Sequence, residues 1–360
     1  LQADSNYVVC FNQDARETGA ALAASAPGIK IVRYLPLVNG AEVSVADGAS
    51  ESWAWLSRDP AIASAEPVIW FSLLDAGTAE PDPTLTQISS WGFTRIGGAT
   101  AEGTGKGVKI AILDTGTDLQ HPDLAMAGGF NALAPSSPPQ DDHGHGTHVA
   151  GILAARDNAF GVRGVVPDAA VYAVKVLNEK GKGTDADVIA GLDWCVTNGI
   201  QVANLSFGGP NVSEALKLAL SRAWESGLLL VAAAGNNGQQ VSAIFPAAHP
   251  DVIAVAALDD QDRMAFFSNF GPEIDFIAPG TRLLSTWNGG GYRYFDGTSM
   301  AAPSVAACAA LILEDGPTLF PEEVETRLRR SVIKLPGLLP GEQGNGLVSA
   351  ELASRCAMDE

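Results

Sequence analysis

Three of the five histidines of this chain, His143, His145 and His148, fall within six residues of the segment "DDHGHGTHVAG". A histidine side chain can act as a general base, bind a metal ion or serve as a buried hydrogen-bonding group. This spacing therefore marks the segment as a candidate reactive centre, and the rest of the chain must decide among the three roles.

Two other residues could complete a nucleophilic site with His145. Asp114 closes the apolar segment "VKIAILD", and Ser299 lies in "FDGTSMAAP", where a glycine turn leads into a run of small residues typical of a buried helix. A serine hydroxyl needs a base, and the base needs a carboxylate that fixes its tautomer. The free N–H groups at a helix start can stabilise a developing oxyanion. Spacing alone does not show that the three side chains meet.

Metal binding is the main alternative for the histidine cluster. The segment "HGHGTH" fits His-x-His-x-x-His, the spacing of dinuclear zinc hydrolases of the metallo-β-lactamase type. Those enzymes usually carry Asp directly before the third histidine, where this chain has Thr147, and they need further histidines downstream, where this chain has His249 alone. The zinc interpretation is therefore the less favoured one.

The middle and C-terminal parts of the chain are typical of a parallel sheet covered by helices on both faces. Nearly continuous apolar segments predict strands at 108–114, 171–177, 201–206, 228–234 and 252–258, and helices are expected at 145–155, 185–199 and 213–227. In such sheets the active groups collect at the carboxyl ends of the strands. Asp114 stands at one such end.

The first part of the chain has a different pattern. Strands are expected at 6–11, 29–35, 41–46 and 61–66, with helices at 15–25 and 50–58, which gives the order β-α-β-β-α-β of a small α+β ferredoxin-like unit. The next stretch, 75–86, holds two prolines and three acids without periodicity, and we expect an exposed linker.

Composition excludes several classes of function. The formal net charge is −19, which disfavours nucleic acid and anionic membranes as partners, and no apolar run is long enough to cross a bilayer. The four cysteines show no CxxC spacing, and Cys195 and Cys308 are expected as buried small side chains. Because the chain starts at Leu1 rather than Met, we expect that the numbering begins after a removed leader or at a boundary chosen for expression.

The segments "AILDTGTDLQHPDL", "HGTHVAG" and "GTSMAAP", in this order, resemble the three active-site motifs of the subtilisin-like serine proteases, the subtilases. The order Asp, His, Ser is that of subtilisin. The resemblance extends from about residue 87 to about residue 352. It implies catalytic roles for Asp114, His145 and Ser299, and a three-layer α/β fold with a mostly parallel central sheet.

The same resemblance implies the rest of the active site. Asn236, in "AAAGNNG", matches the asparagine that donates to the oxyanion. Substrate would bind as an extended strand, contacting residues from "KGKG", "NLSFGG" and the strand before Asn236: Lys182, Gly183, Ser206, Phe207, Gly208, Ala234 and Gly235. On this interpretation His148 is a structural histidine and His143 is solvated.

Calcium is the metal that the resemblance implies, and no organic cofactor is expected. Its oxygen ligands would be the side chains of Gln87, Asp123 and Asn158 and the carbonyls of Arg156, Phe160 and Val162. A second, weaker cation site is expected near Ala247, His249 and Val252.

The segment "IFPAAHP" resembles part of the family's specificity pocket, with a cis peptide bond before Pro246. Relatives often carry Gly or Ser at the position of Ile244, so the pocket is expected to be shallower here. The family expectation is an apolar residue before the cut, called P1.

The N-terminal unit resembles the inhibitor-type propeptide of secreted subtilases, with its tail "PVIWFSLL" in the substrate groove and Glu66 capping helix N-termini. We expect a propeptide at 1–74, a linker at 75–86 and a catalytic domain at 87–360. The cut is expected near Leu74, within the window from Phe71 to Thr86. A permanently attached domain is the alternative.

These features together predict a secreted, extracellular or periplasmic serine endopeptidase made as a self-processing precursor. The expected partners are extended peptide substrates and its own propeptide, and the expected state is a monomer. A non-catalytic binding protein that kept the fold is one rival, although it would be expected to have lost one of Asp114, His145, Ser299 or Asn236, and all four are present. A zinc hydrolase is the other.

Overall fold

A computed structural model describes residues 5–73, 80–81 and 86–355 of the chain. The predicted cleavage position Leu74 and the linker residues 75–79 and 82–85 lie outside the described residues, as does Cys356. Cys10, Cys195 and Cys308 are buried free thiols, as expected for the last two. Among the described residues, no helix combines the length and the apolar character needed to cross a membrane.

The N-terminal unit has the predicted element order. Its elements are β1 (Ser5–Phe11), α1 (Arg16–Ser25), β2 (Ile29–Leu35), β3 (Gly40–Val45), α2 (Ser50–Leu56) and β4 (Ile62–Pro67), with 3₁₀ turns at Gln13–Ala15 and Pro36–Val38. The strands form an antiparallel sheet in the order β2-β3-β1-β4. This is the arrangement expected for a ferredoxin-like unit.

The sheet of the N-terminal unit buries both of its faces. Along β1 the side chains of Val9 and Phe11 belong to a small core shared with the unit's own helices. Val8 and Cys10, which point the other way because side chains alternate along a strand, belong to the large core of the rest of the molecule. Half of this strand is therefore buried only because the unit is docked.

Along the chain, the N-terminal unit is followed by two short strands, β5 (Trp70–Leu73) and β6 (Glu80–Pro81), before the main α/β region begins. The remaining elements are α3 (Trp91–Arg95), β7 (Lys109–Asp114), β8 (Met126–Asn131), α4 (His145–Ala154), β9 (Ala170–Lys175), β10 (Lys182–Thr184), α5 (Asp185–Thr197), β11 (Val202–Leu205), β12 (Phe207–Gly208), α6 (Glu214–Glu225), β13 (Leu229–Ala233), a 3₁₀ turn at Val241–Ala243, β14 (Ile253–Leu258), β15 (Ile274–Pro279), β16 (Leu283–Trp287), β17 (Gly291–Phe295), α7 (Thr298–Asp315), α8 (Pro321–Arg330), β18 (Val332–Ile333), α9 (Pro340–Gln343), β19 (Leu347–Val348) and α10 (Ala350–Arg355).

The central sheet of the α/β region has the order β18-β19-β15-β14-β13-β11-β7-β9-β8. Its pairs are parallel apart from β18 with β19. Helix α4 packs on α7 and α5 packs on α6, and both pairs contact the sheet. The result is a three-layer α/β fold, as predicted.

Part of the predicted linker pairs with the α/β region, a contact that the sequence analysis did not predict. Glu80 and Pro81 pair antiparallel with β17, opposite Tyr294 and Arg293. The sequence pattern did not reveal this strand because two residues are too few to show an alternation of apolar and polar side chains.

Candidate active site

The carboxylate of Asp114 and the imidazole of His145 are in direct contact. Strand β7 ends at Asp114, and His145 is the first residue of α4. The Nδ1 atom of His145 lies 2.8 and 2.9 Å from the two carboxylate oxygens, and both side chains are completely buried. An ionised carboxylate only accepts hydrogen bonds, so Nδ1 carries the proton and Nε2 is the basic nitrogen of the neutral ring.

Asp141 holds the loop that leads into α4, and the sequence analysis did not single it out. Its carboxylate accepts hydrogen bonds from the backbone N–H groups of His143 and Gly144, and from both the N–H and the hydroxyl of Thr147. The hydroxyl of Thr115, next to Asp114, donates to it as well, at 2.8 Å. An acid shortly before a helix start is a capping signal and could have been recognised.

Ser299 is the second residue of α7 and lies against the carboxyl end of β11. Its hydroxyl donates to the carbonyl of Ser206 at 3.0 Å, and the hydroxyl of Ser206 donates to the carbonyl of Ser299 at 2.9 Å. These reciprocal bonds fix the start of α7 against the segment predicted to bind substrate.

Asn236 is hydrogen-bonded to Thr298, the residue that precedes Ser299. The Oδ1 atom of Asn236 accepts from the backbone N–H and the hydroxyl of Thr298, each at 2.9 Å. The hydroxyl of Thr298 also accepts from the N–H of Gly235 at 3.1 Å. Because the amide oxygen faces Thr298, the Nδ2 end is the one that can donate to an oxyanion formed beside Ser299.

The tail of the N-terminal unit occupies the predicted substrate groove. Strand β5 is the middle strand of a three-stranded antiparallel sheet, between β10 and β12. Its register matches Phe71 with Gly183, and Ser72 with both Lys182 and Gly208. The two edges that the sequence predicted for substrate binding are therefore the edges that hold this strand.

Side chains add to the backbone pairing of the tail. Phe71 is 1% exposed and packs edge-to-face on Phe207, with ring centroids 6.1 Å apart. Upstream, Ile69 exchanges two hydrogen bonds with Asp185, at 2.8 and 3.0 Å. The tail is held from Ile69 to Leu73, where the described segment ends.

The predicted specificity pocket lies next to Ala234 and Gly235, the two residues that precede Asn236. The carbonyl of Ala234 accepts from Asn269, and Gly235 has a φ of +106°, a conformation that favours glycine. A Cβ atom added at Gly235 would lie 3.4 Å from Cγ1 of Ile244, so the Ile244 side chain fills this corner. The Phe245–Pro246 peptide bond is cis, as the resemblance implied.

The docked unit is fixed to α5 and α6 by polar contacts. Glu66 accepts from the N–H of Glu214, the first residue of α6, at 2.9 Å, as predicted. Arg33 was not singled out from the sequence, because its partners are distant in the chain. Its guanidinium contacts Asp187 of α5 at 2.6 Å, and it also contacts Glu42 in β3 of its own unit at 2.8 Å.

The three histidines of the cluster lie in different surroundings. His148 is completely buried, its Nε2 contacts the carbonyls of Leu283 and Arg293, and burial lowers its pKa to about 3. It is structural, as predicted. His143 is half-buried rather than solvated, and its Nδ1 is buried without a hydrogen-bond partner. Within the described residues, no three His, Cys, Asp or Glu side chains are arranged to hold a metal ion.

The predicted calcium ligands lie together in one cluster. Asn158 Nδ2 donates to Asp123 at 2.7 Å, and Gln87 Nε2 donates to the carbonyl of Arg156 at 2.8 Å. The N–H of Val162 also donates to the carboxylate of Asp123, at 2.9 Å. Burial raises the pKa of Asp123. Rotating the side-chain amides of Gln87 and Asn158 by 180° would turn their oxygens, instead of their nitrogens, toward a bound ion. This set of oxygen ligands fits a hard cation.

The second predicted cation site, near Ala247, His249 and Val252, stays a prediction. The carbonyl of His249 accepts from the N–H of Val252 at 3.1 Å, so one proposed ligand already has a partner within the turn.

Comparison with known proteins identifies the family. Residues 105–346 match the model of the subtilase family, named for peptidase S8. The chain is 43% identical to subtilisin DY from Bacillus licheniformis over 254 residues, which is 70% of this chain and 92% of that protein. It is 36% identical to subtilisin NAT from Bacillus subtilis subsp. natto over 362 residues, which is 98% of this chain and 91% of that protein.

A solved structure shows the same fold. The crystal structure of fervidolysin from Fervidobacterium pennivorans, described as a keratinolytic enzyme related to subtilisin, matches with a TM-score of 0.84 at 27% identity. The match covers 98% of this chain and 61% of that one, so this chain spans about three fifths of the fervidolysin chain. Together with the family match, these similarities show that the chain belongs to the subtilase family and is a subtilisin-like serine peptidase.

Proposed function

We propose that Ser299 is the nucleophile of a self-processing, secreted endopeptidase, with His145 as its general base. Ser299 attacks the carbonyl carbon of the scissile peptide bond, and His145 takes the hydroxyl proton at Nε2 and gives it to the leaving amine. Water then hydrolyses the acyl-enzyme by the same proton transfers. The observation that carries this proposal is the antiparallel binding of the chain's own tail between β10 and β12.

Asp114 and Asn236 have the supporting roles in this mechanism. The carboxylate of Asp114 accepts a hydrogen bond from the Nδ1–H group of His145, which keeps Nε2 basic and stabilises the imidazolium that forms during the reaction. Asn236, oriented through Thr298, donates to the negatively charged oxygen of the tetrahedral intermediate together with the N–H of Ser299.

The N-terminal unit acts as a propeptide that folds with and inhibits the enzyme, and the cut follows position 74. Support comes from the register, because Phe207 lies opposite Leu73 and Ser206 is bonded to Ser299. The residue after Leu73 is therefore the one whose carbonyl is expected at the nucleophile. Leu74 itself fits the expected preference for an apolar P1 residue.

Ile244 limits the size of the P1 side chain that the specificity pocket can accept. A β-branched side chain next to Gly235 reduces the depth available to a P1 side chain. We expect Leu and Met at P1 to be cleaved faster than Phe or Tyr.

Intact mass on the purified precursor tests the central proposal. Wild type is expected to split into two fragments over hours, whereas Ser299→Ala stays whole, because removal of the nucleophile costs about 10⁶-fold in subtilisin. Ser304→Ala, in the same helix, is the matched control and should split like wild type. Splitting of Ser299→Ala at the wild-type rate would rule out Ser299 as the nucleophile.

Calcium is proposed as a structural ion held by Gln87, Asp123, Asn158 and the carbonyls of Arg156, Phe160 and Val162. The bound ion would tie the segment after the linker to the loop that follows α4. A ligand that binds only the folded state stabilises it by about 2.7 kcal/mol at 100 times its Kd.

Thermal unfolding of the uncut Ser299→Ala precursor measures this effect without any activity. Calcium should raise the midpoint, and Asp123→Asn should abolish the response. Asp157→Asn, a half-exposed neighbour on the same loop, should retain it. Equal midpoints with calcium and with a chelator would exclude the site.

A further inference from the structure

The outer edge of β17 binds an extended segment of the chain. Glu80 pairs antiparallel with Tyr294, and Pro81 pairs with Arg293. The other edge of β17 is occupied by β16, so β6 adds as the third strand of a small sheet. This is binding by strand addition, the mode by which β10 and β12 hold the tail.

This edge is part of the structure around the candidate catalytic residues. Strand β17 ends at Phe295, four residues before Ser299, and the Phe295 ring lies 6.2 Å from the ring of His145. The carbonyl of Arg293 is bonded to Nε2 of His148 at 2.9 Å, which connects the strand to the helix that His145 begins. A chain bound to this edge therefore lies close to the reaction site.

The two paired segments lie on opposite sides of the expected cut. Strand β5 ends at Leu73, and β6 starts at Glu80, so the six residues 74–79 connect them. The chain therefore pairs with β10 and β12 just before the segment in which the cut is expected, and with β17 just after it.

Charge favours the same pairing. The hairpin of β16 and β17 carries Arg293, whose guanidinium lies 4.6 Å from the centroid of the Trp287 ring. Arg282 lies in the same way over Tyr294, at 5.4 Å. In a protein of net charge −19, these two cations belong to the hairpin that pairs with β6, and the linker sequence 75–86 contains three acids, Asp75, Glu80 and Asp82.

We propose that the outer edge of β17 is a binding site for the chain beyond the scissile bond, occupied in the precursor by its own Glu80–Pro81 segment. The pairing holds the cleavage segment at both ends and so accelerates self-processing. The reaction remains hydrolysis of one peptide bond by water, which gives a carboxylate on the N-terminal fragment and an amine on the C-terminal one. This inference rests on the self-processing proposed above.

Two substitutions at one position separate backbone pairing from charge. Pro81 has no N–H, so Glu80 is the residue of β6 that can donate a backbone hydrogen bond. Glu80→Pro removes that donor, whereas Glu80→Gln keeps it and removes the charge. The first-order rate of self-cutting, followed by intact mass in the full precursor, should fall about 10-fold or more in Glu80→Pro and less than about 3-fold in Glu80→Gln, since one lost hydrogen bond is worth about 1.4 kcal/mol, a factor of 10.

Each outcome has a separate meaning. Self-cutting of Glu80→Pro at the wild-type rate would overturn the inference. An equal loss in Glu80→Pro and Glu80→Gln would overturn it too, because charge rather than strand pairing would then hold the linker. If the wild type itself stayed whole, the self-processing proposal would fail, and a parallel assay on a short chromogenic peptide would show whether Ser299 is still reactive.

Discussion

The N-terminal unit and the α/β region bury their apolar side chains in different ways. The α/β region encloses a parallel sheet between its own helices, so its strands are apolar on both faces. The N-terminal sheet covers one face with α1 and α2 and leaves the other to α5 and α6 of its neighbour. The larger region has a complete core of its own, whereas the smaller one completes its burial by docking. This difference suits the proposed role of the smaller unit as a propeptide that leaves after processing.

The first test of this comparison changes a proposed catalytic residue of the α/β region and leaves the docked unit unchanged. Asn236→Ala should lower kcat on a short peptide by about 10²- to 10³-fold, the loss known for the equivalent donor in subtilisin, with KM little changed. The reason is that the amide stabilises charge that is present only in the transition state. Steady-state kinetics of the processed enzyme measure both constants, and unchanged kcat would exclude the oxyanion role.

The second test weakens the docking contacts and leaves the proposed catalytic residues unchanged. Arg33→Ala leaves Asp187 and Glu42 without their cation, so the cut N-terminal unit should dissociate about 10- to 100-fold faster, because charged hydrogen bonds are worth about 1.5–3 kcal/mol. The readout is the delay between self-cutting and the appearance of peptidase activity. Lys30→Ala, an exposed residue on the same strand, is the control, and an equal delay in both variants would contradict the role of Arg33.

A third test compares two neighbouring valines of β1 that are equally buried, at 1% and 0% exposure. Val8→Ala removes apolar contact with the α/β region and should speed release of the unit about 10-fold, since two buried carbons are worth about 1.6 kcal/mol. Val9→Ala removes contact with the unit's own helices, so it should increase amide hydrogen exchange across β1–β4. The comparison would fail if both variants gave the same pattern of release and exchange.

The smallest expected effect concerns the stability of the α/β region alone. Burial, and then the nearby charge of Glu325, raises the pKa of Asp275 to about 6. The folded state therefore binds a proton more tightly than the unfolded state does, and stability falls as pH rises from about 4 to about 6.

Asp275→Asn cannot ionise and keeps an acceptor for the N–H of Ala254, which bonds the wild-type carboxylate at 2.9 Å. It should remove this fall and stabilise the protein at pH 8, by an amount on the order of 1 kcal/mol. Thermal unfolding of the uncut Ser299→Ala precursor between pH 4 and pH 8 measures it. A lower midpoint than the parent at pH 8 would show that the contact with Arg329, at 3.8 Å, outweighs the cost of burying the charge.

Much of the secondary structure followed from local pattern. The strand from Lys109 to Asp114 and the helix from His145 to Ala154 begin and end within one residue of the predicted bounds. Long apolar runs and capping residues are local signals that the fold preserves. The short strands β6 and β12 carry no such signal, and neither does β8, which holds two glycines, so they were not predicted.

The sequence by itself determined the family and the candidate catalytic residues, because three motifs each hold one of these residues in a distinctive local context. Only the tertiary structure decided what those residues touch. Asp114 meets His145 across 31 positions, Ser206 meets Ser299 across 93, and Glu66 meets Glu214 across 148. Such contacts depend on how the strands order themselves in the sheet and on how one unit docks on another, and neither is encoded in the periodicity of a single segment.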